Sequence, residues 1–174
     1  MSIHRLNHAV LYVRDVARSV AFYQDVLGFE VVMRIGNQAA FLRADGSSND
    51  HDLGLFQLGA AAGPSTAGRT SVGLYHLAWE VETLRDLETL AGRLEEAGAL
   101  VGASDHSTTK SLYGADPDGL EFEVAWIVPA DRLDEAAVAG RTGIRPLDLE
   151  REMERYGADT RGGFGISRAA LANQ

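Results

Sequence analysis

The feature that most constrains the fold is an internal repeat. A β-rich run around His8 is followed by a helical pattern that ends at Gly28, and a second such run around His76 precedes a helical pattern that ends at Gly98. The two histidines stand about 68 residues apart. Repeats of this length indicate copies of one supersecondary unit. The sequence therefore predicts a duplicated fold with the histidines at matched positions.

Each half has the same predicted order of elements. Apolar residues at helical spacing predict one helix in each half, at 16–27 and 84–97. Short β-rich runs bounded by turn residues predict the strands 6–13, 29–34, 39–43, 51–58, 74–81, 100–101, 111–113 and 120–127. The fold class is α+β, with two tandem βαβββ modules.

The composition divides the chain into paired modules, a linker and a tail. The modules are 1–58 and 72–128 within one domain at 1–128, the linker is 59–71, and the tail is 129–174 with helical stretches at 131–139 and 147–156. The linker is rich in Gly and Ala, which is typical of a flexible connection. We expect the helical tail to pack against the body or a second subunit, and the protein to be a homo-oligomer, dimeric or higher.

Composition excludes several classes of protein. The chain of 174 residues has no cysteine, so it has no disulfide framework, thiol nucleophile or cysteine-ligated metal. Lys+Arg 16 against Asp+Glu 25 gives a net charge of -9, which disfavours nucleic acid and anionic membranes as partners. No apolar run reaches the roughly 20 residues of a membrane span, and residues 1–5 contain no apolar stretch of the kind that a signal peptide requires. We expect a cytoplasmic protein.

The histidines are the main candidates for chemistry. His8 and His76 occupy equivalent places in the two halves, and Glu121 and Glu123 lie on one face of the final strand. Two imidazoles and one carboxylate can hold a mononuclear Fe(II) and leave positions open for substrate and O₂. Hydrogen-bonded core histidines and a solvated carboxylate would produce the same pattern. Residue types and spacing alone leave both interpretations open.

Two longer segments resemble a known family. The first is the helix DVARSVAFYQDVLGF at 15–29, and the second is the closing turn and strand KSLYGADPDGLEFE at 110–123. Both are similar to the vicinal oxygen chelate superfamily, which includes glyoxalases, bleomycin resistance proteins and extradiol dioxygenases. The second segment resembles the catechol 2,3-dioxygenase branch. The resemblance covers about residues 4–128.

The resemblance implies a fold and a set of functional residues. The paired modules are expected to form one half-open β-sheet cup around a metal held by His8, His76 and Glu123. The metal is expected to be Fe(II), with Mn(II) as an alternative, and the substrates a catechol-type aromatic diol and O₂. The expected catalytic residues are His51 near O₂, Tyr113 at the bound catechol oxygen and His106 facing the substrate.

Two other functions fit the same family resemblance. A glyoxalase-like isomerase or lyase would take a fourth ligand from the last strand of the first module. The residue nearest that point with the parity of His51, and so expected on the same face, is Gln57. A metal-free module that binds a drug or another small molecule is the other alternative. The chain also departs from many extradiol enzymes, because it has one module pair and has Leu120 where relatives often have asparagine.

Overall fold

The structure is a computed structural model that describes residues 2–68 and 70–163. These residues form two compact units, which are considered separately. The first unit contains the chain up to Thr66 together with Asp116–Leu120. The second contains Ala67–Ala115 and the chain from Glu121 on.

The first unit is a four-stranded sheet with one helix. Its elements are β1 (Ala9–Val13), α1 (Val16–Asp25), β2 (Glu30–Ile35), β3 (Ala39–Arg43) and β4 (Leu53–Gln57). The strand order is β1-β4-β3-β2, with β1 parallel to β4 and the other pairs antiparallel. Asp15 caps α1 by accepting from the backbone N–H groups of Ala17 and Arg18, which have no partner within the helix. The chain leaves α1 through Gly28 at φ +76°.

The two faces of the first sheet differ in what covers them. Helix α1 packs on β3 and β4, and the core on that side contains Val16, Val20, Tyr23, Leu42, Leu53 and Leu55. Side chains alternate between faces along a strand, and the other face carries Val10, Phe41 and Phe56. We call this the open face, since Val10 and its neighbour Tyr12 are exposed. Gly54 lies between Val10 and Phe41 there and adds no side chain.

A distant turn completes the first unit. The carboxylate of Asp118 accepts hydrogen bonds from the backbone N–H and the guanidinium of Arg14, both at 2.8 Å. Asp116 accepts from the backbone N–H groups of Asp118 and Leu120 and from the Tyr23 hydroxyl at 3.4 Å. Burial raises the pKa of Asp116 despite the two backbone bonds. The turn is therefore fixed to residues about 100 positions earlier in the chain.

The second unit repeats the arrangement and extends it. Its elements are β5 (Leu77–Glu80), α2 (Leu84–Glu96), β6 (Leu100–Asp105), β7 (Thr109–Ala115), β8 (Glu121–Ile127), α3 (Glu135–Ala139), β9 (Arg145–Pro146) and α4 (Leu149–Tyr156). The strand order is β5-β8-β7-β6-β9. A capping box between Thr83 and Asp86 begins α2, whose buried face is Leu84, Leu87, Leu90 and Leu94.

The tail after β8 is part of the second unit. Strand β9 pairs with the free edge of β6, and helix α4 packs against α2. The indole N–H of the buried Trp126 donates to the carbonyl of Thr160 at 3.1 Å. Arg85 of α2 holds Asp159 through two hydrogen bonds. The tail thus adds both a strand and a layer of helix to this unit.

The α+β class with two βαβββ modules is confirmed. The sequence predicts His8 and His76 within their strands, but each lies one residue before its strand. The reason is that β1 and β5 are shorter than the predicted strands 6–13 and 74–81. Strand β9 is not predicted by the sequence. The domain bounds 1–128 and 129–174 stay a prediction, and residues 164–174 of the tail lie outside the described residues. Over residues 2–68 and 70–163, no helix is long and apolar enough to cross a membrane.

Candidate functional site

A histidine and a carboxylate meet in the second unit. His76 directly precedes β5, and Glu123 lies in β8, the parallel neighbour of β5. The register pairs Ala78 with Glu123, which brings the carboxylate alongside the start of β5. His76 Nε2 and Glu123 Oε2 are 3.2 Å apart, and their side chains are 24% and 15% exposed. The pair is half-buried and open to a small ligand.

The donors of this pair fit a divalent metal. Two ligands at right angles with bonds of roughly 2.1 Å place their donor atoms about 3 Å apart, close to the observed Nε2–Oε2 separation. Imidazole nitrogen and carboxylate oxygen suit Fe(II) and Mn(II). The buried Nδ1 of His76 has no hydrogen-bond partner among the described residues. The ring is instead held by contacts with Tyr75 and Tyr113, at centroid distances of 4.6 and 5.9 Å.

A second polar pair adjoins the first. Tyr113 in β7 is the cross-strand partner of Glu123, and its hydroxyl shares a hydrogen bond of 2.9 Å with His106 Nε2. Burial raises the pKa of Tyr113, and the negative charge of Glu123 raises it further. The phenol is therefore protonated at neutral pH and can share a proton with a neighbouring oxygen or imidazole.

The first unit brings two further histidines together. The rings of His8 and His51 lie 4.6 Å apart at an interplanar angle of 42°, and the edge of Phe41 meets His51 at 5.1 Å. Their Nδ1 atoms are hydrogen-bonded to adjacent residues, His8 to Asn7 at 2.7 Å and His51 to Asp50 at 3.0 Å. Contact with Phe41 places His51 at the open face of the first sheet.

Gln57 does not share this position. Its Oε1 accepts a hydrogen bond from the backbone N–H of Val16 at 3.1 Å, so it lies at the start of α1. The expectation that Gln57 shares the face of His51 is wrong, because β4 begins only at Leu53 and His51 lies outside the strand alternation.

The structure groups the expected residues by unit. His76, Glu123, Tyr113 and His106 come together in the second unit, and His8 and His51 in the first. Over the described residues, no three His, Asp or Glu side chains form a group that could hold a metal ion. Glu121 and His4 are exposed.

Two aromatic residues were missed by sequence reasoning. Tyr75 lies against His76, and Phe41 lies against His51. Strand alternation could have identified Phe41, because this residue lies on the same face of the sheet as Gly54, its partner in the neighbouring strand. For Tyr75 the sequence offers only its adjacency to His76, because the residue precedes β5 and has no strand register.

Comparison with known proteins identifies two kinds of relatives, dioxygenases and a glutathione transferase. The chain is 35% identical over 129 residues to the catechol-2,3-dioxygenase of Bacillus subtilis (strain 168), covering 71% of this chain and 42% of the relative. It is 28% identical to the manganese-dependent 2,3-dihydroxybiphenyl 1,2-dioxygenase of Geobacillus genomosp. 3, covering 76% and 40%. The chain therefore spans about two fifths of the length of these two dioxygenases. It is also 31% identical to the glutathione transferase FosA of Serratia marcescens, covering 70% and 80%.

A solved structure and a family match agree with these relatives. The crystal structure of a glyoxylase/bleomycin resistance protein/dioxygenase domain from Frankia sp. EAN1pec superposes with a TM-score of 0.60 at 26% identity, covering 71% of this chain and 92% of that one. The family model of the Glyoxalase/Bleomycin resistance protein/Dioxygenase superfamily matches residues 5–124. With two βαβββ modules and a match over most of its length, the chain belongs to this superfamily.

Proposed function

We propose that this chain is an extradiol ring-cleaving dioxygenase that acts on a catechol-type aromatic diol with O₂ at a mononuclear Fe(II), with Mn(II) as the alternative metal. The observation that carries the proposal is the pairing of His76 with Glu123 beside the hydrogen bond between Tyr113 and His106. The similarity to a catechol-2,3-dioxygenase and a 2,3-dihydroxybiphenyl 1,2-dioxygenase supports the choice of reaction.

The proposed metal ligands are His8, His76 and Glu123. The second unit supplies a nitrogen and an oxygen donor at ligand spacing, and His8 is assigned as the third ligand from its matched place in the repeat. A divalent metal bound there would supply a common binding point for the diol oxygens and O₂, which turns an encounter of two molecules into a reaction of neighbours.

The remaining residues handle substrate and protons. In this proposal the Tyr113 hydroxyl would hydrogen-bond a diol oxygen, and the same hydroxyl shares a hydrogen bond with His106. His51 is the proposed proton carrier, since an imidazole can accept a diol proton and return it later.

A thiol transferase is the second candidate. The specific observation in its favour is the 31% identity to the glutathione transferase FosA over 122 residues, which cover 80% of that protein. An isomerase or lyase that takes a fourth ligand at Gln57 is less favoured, since that side chain is bound to the start of α1.

The function is tested first through the metal. Purified protein loaded anaerobically with Fe(II) is expected to consume O₂ with catechols and form a yellow ring-opened product. His76→Ala removes one proposed ligand, so we expect at least a tenfold loss of metal affinity, in line with the cost of disturbing a metal's surroundings, and loss of turnover. Metal content is measured by elemental analysis and turnover by O₂ uptake.

The control is His4→Ala, which removes an exposed histidine outside the site and should keep full metal content. Unchanged metal content in His76→Ala would contradict the ligand assignment. Absence of O₂ uptake with every catechol, together with turnover of glutathione and an electrophilic acceptor, would replace the dioxygenase with the transferase.

A narrower prediction concerns the role of His51 in turnover. In His51→Ala we expect metal content to stay within about twofold of the wild type and turnover to fall about 10²-fold or more, as is typical for loss of a general acid or base. The two are measured on the same preparation. Full activity in this variant would remove His51 from the mechanism.

A further inference from the structure

A fully buried lysine lies at the centre of the second unit. Lys110 is the second residue of β7, and its side chain is fully buried, with 0% exposure. Its Nζ is 2.6 Å from Asp105 Oδ1 and 2.8 Å from Glu152 Oε2, and it lies 5.5 Å from the centre of the Tyr156 ring. A buried ammonium requires paired charges because it has lost its hydration. One of the two carboxylates, Glu152, comes from helix α4 of the tail.

A second tail residue joins the same cluster. The guanidinium of Arg145 in β9 donates to Asp105 Oδ2 at 3.0 Å and to Ser107 Oγ at 2.7 Å. Asp105 also accepts from the backbone N–H of Ser107 at 2.7 Å. Two cations, Lys110 and Arg145, therefore balance two anions, Asp105 and Glu152. The cluster is neutral and spans β6, β7 and the tail.

The cluster encloses a constrained turn. Residues 106–108 connect β6 to β7, and Ser107 has φ +68°, a left-handed conformation that is uncommon for a residue with a side chain. Gly140 of the tail lies directly against the Ser107 hydroxyl, where a β-carbon would clash. The N–H of His106 donates to Thr109 O at 2.9 Å. The tail therefore contacts this turn through both Arg145 and Gly140.

The turn at residues 106–108 carries a residue of the candidate site. His106 lies between Asp105 and Ser107, which are both bound by Arg145, and its Nε2 reaches the Tyr113 hydroxyl at 2.9 Å. Lys110 and Tyr113 stand on the same strand, three residues apart. A displacement of the turn would therefore move the imidazole relative to a phenol that the strand holds in place.

We propose that the C-terminal tail, through Arg145 on Asp105 and Ser107 and through Glu152 on Lys110, positions His106 for its hydrogen bond to Tyr113. Arg145 and Glu152 are positioning residues that act through the turn. The consequence for catalysis rests on the proposed function, whereas the effect on the His106 ring does not. The tail is then a determinant of the site, beyond its part in packing.

The test compares Arg145→Ala with Arg155→Ala. Both arginines are in the tail and both make an ion pair. Arg155 binds Asp134 and stacks on the Tyr156 ring, and over the described residues it makes no hydrogen bond or ion pair to the turn. The ring nitrogens of His106 are followed by ¹⁵N NMR of the full chain, with His106→Gln used to assign the signals. We expect Arg145→Ala to shift the His106 ring signals and Arg155→Ala to leave them in place.

Turnover provides the second readout. A displacement of about 1 Å can cost about 10²-fold in rate, so we expect Arg145→Ala to lower kcat between about tenfold and 10²-fold with KM changed by less than about twofold. Arg145→Lys, which keeps the charge and one of the two contacts, should recover part of the loss. Measurements are made well below the Tm of each variant. Arg145 is 57% exposed, so its removal should leave the protein folded.

The outcomes separate the two proposals. Unshifted His106 signals in Arg145→Ala, or a kcat equal to that of Arg155→Ala in an active enzyme, would overturn the positioning role. A wild-type protein that turns over no catechol while Arg145→Ala still shifts the His106 ring would overturn the dioxygenase and uphold the role of the tail.

Discussion

Asp105 is an acidic residue whose pKa is set by the local structure around it. Burial alone would raise its pKa, but hydrogen bonds from Lys110, the Ser107 N–H and Arg145 lower it from 3.8 to about 2. A carboxylate whose pKa is lowered on folding stabilises the folded protein above the unfolded pKa, and this contribution is lost as the pH falls through the folded value. The effect of Asp105 should therefore disappear between about pH 4 and pH 2.

The prediction uses Asp105→Asn. Removing one charge of a buried pair costs roughly 3–5 kcal/mol, so we expect the free energy of unfolding at neutral pH to fall by about 3 kcal/mol. The difference from wild type should shrink as the pH is lowered from about 4 to about 2. Urea unfolding at several pH values measures this, with Asp45→Asn as an exposed control. A difference that is constant across this range would contradict the assigned charge state.

The sequence predicts the candidate residues better than their surroundings. Repeat position and family resemblance single out His76 and Glu123, which the structure places 3.2 Å apart. The burial of Lys110 is not predictable in this way, because lysine is rarely buried and its two carboxylates lie 5 residues earlier and about 40 residues later. Partners so far apart in sequence leave no periodic pattern.

At the level of elements, the pairing of β7 with β8 depends on a glycine. Gly114 is the cross-strand neighbour of Phe122, whose ring occupies the space that a β-carbon would need. We expect Gly114→Ala to lower the free energy of unfolding by about 1–3 kcal/mol, the usual cost of overpacking. Thermal and urea unfolding measure the change.

Gly102→Ala is the matched control in the neighbouring strand. A β-carbon at Gly102 meets no atom within 4 Å, so its effect should stay within about 0.5 kcal/mol. Equal losses in the two variants would mean that the Phe122 ring does not set the cost.

Helices were predicted more accurately than strand ends. Asp15 and Thr83 are residue types that favour a helix N-cap, and they stand directly before α1 and α2 in the structure. The first strands begin later than predicted because alternation continues through residues that have no ladder partner, as at His76. Strand β9 has only two residues and includes Pro146, so strand propensity does not predict it. The strand forms through its pairing with β6.

At the level of the whole molecule, each unit is built from segments that are far apart in sequence. The first needs Asp116–Leu120, and the second takes in the tail to Gly162. The chain spans about two fifths of the length of two dioxygenase relatives and 80% of a transferase relative. Homo-oligomerisation stays a prediction.

These distant segments have a consequence for synthesis on the ribosome. Domains commonly fold in order as they emerge, but here the first unit lacks the carboxylate for Arg14 until residue 118 has been added. The four longer strands of the second sheet are fully translated by Ile127, yet the ammonium of Lys110 has only one of its two carboxylates until Glu152 follows. The first unit therefore cannot close before residue 118 is made, and the second cannot complete its buried charge cluster before residue 152 is made.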